Sequence, residues 1–87
     1  MPEIRLLDSA ARELAELDPA IARRIVSRLK WLAEHLDEAP LHALTGELSG
    51  LYKFRVGAYR VVFQVLRDDR VLLVHGVGHR RDVYRRR

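Results

Sequence analysis

Residues 51–60 read Leu-Tyr-Lys-Phe-Arg-Val-Gly-Ala-Tyr-Arg, and they predict a tight β-hairpin. The Gly57-Ala58 pair fits a two-residue turn, because glycine at the first central position adopts the positive φ that such a turn requires. This turn sets Arg55 opposite Arg60. Strand alternation places Lys53 on the same face as the two arginines. The opposite, apolar face then carries Tyr52, Phe54, Val56, Tyr59, Val61, Phe63 and Val65.

The three cations on one face of this hairpin predict an anion-binding surface. They are Lys53, Arg55 and Arg60. Like charges directly opposite each other destabilise a sheet by a few tenths to about 1 kcal/mol. A bound anion would offset this repulsion, so the cluster predicts an anion-binding site on this face.

The composition is that of one small domain spanning residues 1–87. The chain has 87 residues, of which 48% are hydrophobic, so a single core is within reach. It contains no cysteine, which excludes disulfides and thiolate metal sites. Its four histidines lack the spacing of metal ligands, and no cofactor or metal is predicted. There is no signal-peptide pattern and no apolar run of the ~18 residues that span a membrane, so we expect a cytoplasmic protein without membrane contact.

Charge is distributed unevenly along the chain. Residues 1–50 hold six Lys/Arg and nine Asp/Glu, whereas residues 51–87 hold ten Lys/Arg and three Asp/Glu. A basic half carried on strands with interleaved tyrosines indicates a nucleic acid or another polyanion as partner. The alternative is an arginine-rich protein without a specific ligand, since only one of the ten cations is lysine.

Two helices are predicted before the hairpin. Asp8 or Ser9 is expected to cap a brief helix that reaches about Leu17. The Asp18-Pro19 pair is a second start signal, an N-cap followed by proline at the first helical position. An apolar i, i+4 series follows it and predicts an amphipathic helix that ends before Pro40.

Strands flank these helices. Pro2–Leu7 is predicted as the first strand and Val71–Val77 as the last, with Gly76 and Gly78 allowing a bulge near its end. His79–Arg87 is a short basic tail. The predicted fold is α+β: an N-terminal strand and an antiparallel helical hairpin packed on one face of a small antiparallel sheet.

Two segments carry a resemblance to a known family. They are Leu-Ser-Gly-Leu-Tyr-Lys-Phe-Arg-Val-Gly-Ala-Tyr-Arg-Val-Val-Phe at residues 48–63 and Val-Gly-His-Arg-Arg-Asp-Val-Tyr at residues 77–84. They resemble the RelE/ParE superfamily of toxins from type II toxin–antitoxin systems, and within it the RelE branch. That branch cleaves mRNA in the ribosomal A site without a metal ion. The resemblance therefore implies an mRNA endoribonuclease whose partners are the ribosome, mRNA and a cognate antitoxin, which would also set the oligomeric state.

The resemblance also implies a set of catalytic residues. Arg55 and Arg60 present forked donors to the phosphate oxygens. Lys53 is the expected base, because the neighbouring arginines favour its neutral form. Arg80 is expected to protonate or shield the leaving oxygen, and Tyr84 to orient the nucleotide or stack on a base. Further RNA contacts are predicted at His79, Arg81 and Arg85.

The other histidines are not assigned to the site. His75 is predicted to be structural, and would lie on the cationic face only if the last strand has no bulge. His35 and His42 fall at a helix end and in a loop, without an evident partner.

Two other functions stay open at the sequence level. A ParE-type toxin inhibits DNA gyrase by protein–protein binding, and some ParE-like chains end in a similar Arg-Arg-Asp. A decayed toxin kept as a binding module is the third alternative, and it would cause no growth arrest.

Overall fold

The computed structural model describes residues 3–39, 41–66, 68 and 70–79. Within these ranges, two helices and five strands follow one another in the order β-α-α-β-β-β-β. Neither of the described helices combines the length and the hydrophobicity that spanning a membrane requires. The elements are β1 (Glu3–Leu6), α1 (Asp8–Ala15), α2 (Pro19–Glu34), β2 (His42–Ala43), β3 (Tyr52–Val56), β4 (Tyr59–Leu66) and β5 (Val71–His79), with a 3-10 turn at Gly46–Leu48.

The five strands form one sheet in the order β1-β5-β4-β3-β2. The pairs β2–β3, β3–β4 and β4–β5 are antiparallel, whereas β1 runs parallel to β5 with Glu3 opposite Val71. The α+β fold is confirmed, but the sheet is mixed rather than wholly antiparallel. The parallel pair arises because the helices carry the chain from β1 at one edge of the sheet to β2 at the other edge. The antiparallel strands that follow then bring β5 back beside β1, in the same direction.

The core lies between the helices and one face of the sheet. Helix α1 packs mainly on β5, and α2 contacts β1 and β3. Phe63 on the central strand β4 is completely buried, and its ring stacks on Tyr52 at a centroid distance of 5.8 Å. The other residues of the buried cluster are Ala10, Ile25, Leu29, Leu32, Ala33, Val56, Val61, Leu72, Val74 and Val77.

The two helices begin in different ways. Leu7 occupies the N-cap position of α1 and makes no side-chain capping bond, so the prediction that Asp8 or Ser9 caps this helix is wrong. The reason is that the Leu7 amide still donates to Val74 in the sheet at 3.0 Å, so the chain passes from β1 into the helix without a separate cap. Helix α2 begins as predicted, because the Asp18 carboxylate accepts a bond from the Ala20 amide at 2.9 Å.

A carboxylate from α1 closes the open edge of β5. Strand β1 ends at Leu6, opposite Val74, so the later residues of β5 have no strand on that side. There the Val77 amide donates to Glu13 Oε1 at 2.9 Å. Because a buried amide without an acceptor is costly, this contact lets β5 extend to His79 beyond the end of its neighbour.

Candidate functional site

The β3–β4 hairpin has the predicted register. Val56 lies opposite Tyr59, and Arg55 lies directly opposite Arg60. Gly57 has φ +60°, and its successor is not in the positive-φ region, which is the pattern of a Gly-X turn. The turn therefore fixes which side chains share each face of the sheet.

Replacing Gly57 by alanine is expected to destabilise the hairpin by about 1–2 kcal/mol, because an L-residue is strained at this positive φ. The cost is conformational, since an added Cβ would meet Arg24 Nη1 at an ordinary 3.8 Å. Urea unfolding of the variant measures the loss. Gly57→Asn is the matched control, because asparagine tolerates positive φ better, and equal losses for both variants would contradict a turn-based cause.

A pocket of about 200 Å³ opens on the sheet face opposite the helices. The described residues that line it are His42, Lys53, Arg55 and Arg60. Lys53 and Arg60 are half-buried, and Arg55 is exposed. The predicted gathering of the three cations of β3 and β4 is thus found in the structure, and a fourth residue, His42, joins them.

The three cations of this pocket are not neutralised within the described part of the chain. The ion pair found there joins Arg5 to Glu3, and no carboxylate pairs with Lys53, Arg55 or Arg60. The Arg60 guanidinium makes one long bond, from Nη1 to the Tyr59 carbonyl at 3.5 Å. Most of the donors on these side chains therefore remain available to an anion, and phosphate is the group that paired guanidinium forks fit well.

Sequence reasoning missed His42 as a site residue. It lies in the two-residue strand β2, directly opposite Lys53, and its side chain lines the pocket. Eleven positions separate the two residues in the chain, and the His-Ala pair has no strand pattern that predicts the pairing. The signal was only the presence of a histidine in the loop preceding the hairpin.

The other histidines lie outside the pocket. The register of β4 and β5 shifts between Val62 and Phe63, which leaves His75 as the extra residue of a bulge. Its Nε2 lies 3.1 Å from Gln64 Oε1, in line with the structural role predicted for it. His79 pairs with Tyr59 and contacts that ring edge-on at 6.0 Å, on the helix-covered face of the sheet. Its role as an RNA contact stays a prediction.

Four predicted site residues fall outside the described residues. The catalytic roles of Arg80 and Tyr84 and the RNA contacts of Arg81 and Arg85 stay predictions. The basic tail was predicted to begin at His79, but that residue ends strand β5, and only the part beyond it stays a prediction. In the described part, no cluster of three or more His, Asp or Glu residues has a geometry that fits a metal ion.

Comparisons with known proteins agree with this fold. Residues 4–84 match the family described as ParE toxin of type II toxin-antitoxin system, parDE. The chain is 30% identical to Toxin RelG of Mycobacterium tuberculosis over 86 residues, which is 95% of each protein. A chain of the toxin-antitoxin complex RelBE2 from the same species superposes with a TM-score of 0.81 at 25% identity, over 91% of each chain. The isolated Escherichia coli RelE toxin shares the fold with a TM-score of 0.76 at 23% identity, over 99% of this chain and 94% of that one.

Proposed function

Since the chain belongs to the RelE/ParE superfamily of type II toxin–antitoxin toxins, we propose that it is a ribosome-dependent mRNA endoribonuclease. The observation that carries this proposal is the pocket in which Lys53, Arg55 and Arg60 converge without a carboxylate partner in the described part of the chain. A toxin that acted only by protein–protein binding would not need such a concentration of phosphate-binding donors. We expect it to act in the cytoplasm, where ribosomes translate.

The pocket suits the chemistry of RNA cleavage. The 2′-oxygen attacks the adjacent phosphorus while the 5′-oxygen leaves, and negative charge increases on the non-bridging oxygens. Arg55 and Arg60 lie on adjacent strands at directly opposed positions and line the same pocket. In this proposal both guanidinium groups bind the scissile phosphate. Fixed cations aimed at developing charge typically supply the largest single part of a rate enhancement. In this proposal Arg80 and Tyr84 complete the site at the leaving group and the nucleotide.

The proposed partner that restrains the toxin is a cognate antitoxin. Related chains have been solved in such complexes, including RelBE2 of M. tuberculosis and the RelBE toxin-antitoxin complex of E. coli. An acidic antitoxin segment that covers Lys53, Arg55 and Arg60 would supply the missing counter-charges. Inhibition would then consist of occupying the phosphate site.

Induced expression followed by mapping of RNA 5′ ends tests the proposed function. We expect new 5′ ends inside translated reading frames, in register with codons, and absent when translation initiation is blocked on the same message. A message carrying a mutated start codon is the matched control. Growth arrest with no new 5′ ends in translated RNA would contradict the proposal.

A ParE-type gyrase inhibitor is the second candidate, and the observation in its favour is that the matched family is described as ParE toxin. The same induction separates the two candidates. A gyrase inhibitor would cause DNA damage and altered plasmid supercoiling while leaving mRNA intact.

A further inference from the structure

Of the pocket-lining residues that the structure describes, His42 is the one to which the resemblance assigns no role. It is held on the edge strand β2 opposite Lys53, and its side chain is exposed. Among the described residues that line the pocket, the other three are Lys53, Arg55 and Arg60. The imidazole therefore lies beside the place where we expect the scissile phosphate to bind.

Cleavage requires a group that accepts the proton of the 2′-hydroxyl. Guanidinium groups hold their protons too tightly to do so, and a lysine ammonium has first to lose one. Imidazole is the side-chain type that ordinarily exchanges a proton between pH 5 and 8, which makes it the commonest general base. We propose that His42, rather than Lys53, is the general base of the cleavage reaction; this inference rests on the proposed function.

The residues of the pocket supply both proton transfers that cleavage requires. The neutral imidazole of His42 takes the 2′-hydroxyl proton as the 2′-oxygen forms its bond to phosphorus. The bond from phosphorus to the 5′-oxygen breaks, and the Lys53 ammonium donates a proton to that oxygen. Arg55 and Arg60 stabilise the charge on the phosphorane. The products are a 2′,3′-cyclic phosphate and a 5′-hydroxyl, and proton transfer from His42 to Lys53 through solvent restores both groups.

Other described histidines are poorly placed for this role. The His75 ring contacts Gln64 at 3.1 Å, and His79 lies against Tyr59 on the opposite face of the sheet. His35 follows α2 on the helical side of the protein, where it stacks on Trp31 at 4.4 Å. His35 therefore provides a matched control, because it is an imidazole remote from the pocket.

The test compares H42Q with H35Q in single-turnover cleavage of mRNA on programmed ribosomes between pH 5.5 and 8.5. A general base works in its neutral form, so the wild-type rate should rise with pH as the base loses its proton and then level off. We expect H42Q to lower the rate by about 10²–10⁴-fold and to lose this rise. H35Q should keep the wild-type rate and its rise with pH. The toxin concentration that gives the half-maximal rate should be the same for the wild type, H42Q and H35Q.

Chemical rescue distinguishes a proton acceptor from a residue that only shapes the pocket. Free imidazole added to H42A should recover part of the lost rate, and it should leave H35A unchanged. Wild-type rate and an unchanged pH profile in H42Q, or no rescue of a folded H42A, would overturn the assignment while the proposed function stands. A wild-type toxin that leaves ribosome-bound mRNA intact would overturn both.

Discussion

Substituting Arg60 by alanine is expected to lower mRNA cleavage by about 10²–10³-fold, because it removes one fixed donor aimed at the phosphate. Arg60 lies opposite Arg55, lines the pocket and makes a single long bond within the described part of the protein. Induction of the Arg60→Ala protein should therefore no longer arrest growth. Single-turnover cleavage on programmed ribosomes measures the loss directly.

The same substitution should leave the fold intact. It relieves a like-charge pair that costs a few tenths to about 1 kcal/mol, so the melting temperature is not expected to fall. Arg23→Ala is the control, because it removes the same charge from an exposed position on α2, on the far side of the sheet. An Arg60→Ala protein that arrests growth as strongly as Arg23→Ala would show that the pocket does not carry the toxicity.

Replacing Phe63 by alanine is expected to cost about 3–5 kcal/mol of the free energy of unfolding. The ring is completely buried on the central strand and packs against Tyr52 within the buried cluster. A domain of this length has a total stability of roughly 4–13 kcal/mol, so the loss is a large share of it. Thermal melting should show a decrease of more than about 12 °C.

Phe54→Ala is the matched control for the Phe63 substitution. Phe54 lies on the adjacent strand and faces the same helices, but it is only half-buried, and Arg28 lies 5.8 Å from its ring centroid. The same truncation there leaves a smaller cavity and should cost clearly less. Equal losses at both positions would mean that the core is not centred on β4.

The hairpin that builds the site was predictable because its information is local. Gly57 sets the turn, alternation sets the faces, and the two together place Arg55 opposite Arg60, as the structure confirms. The start of α2 was predictable for the same reason, since Asp18 and Pro19 stabilise the first turn of the helix in which they lie.

The features that sequence reasoning missed depend on contacts between distant segments. The parallel pairing of β1 with β5 joins residues almost seventy positions apart, and the pairing of His42 with Lys53 draws a loop residue into the sheet. The Glu13 carboxylate accepts a hydrogen bond from an amide on the edge of β5, and no local sequence pattern predicts this contact. The glycines near the end of β5 did indicate a bulge, but its position at His75 follows from the pairing with β4.

The most direct test of the central claim is end-group analysis after purified wild-type toxin is mixed with ribosomes that hold a defined mRNA. If the cationic pocket activates the 2′-oxygen against its own phosphate, the fragments should carry a 2′,3′-cyclic phosphate and a 5′-hydroxyl. Intact mRNA at saturating toxin, or fragments with a 5′-phosphate, would contradict the account.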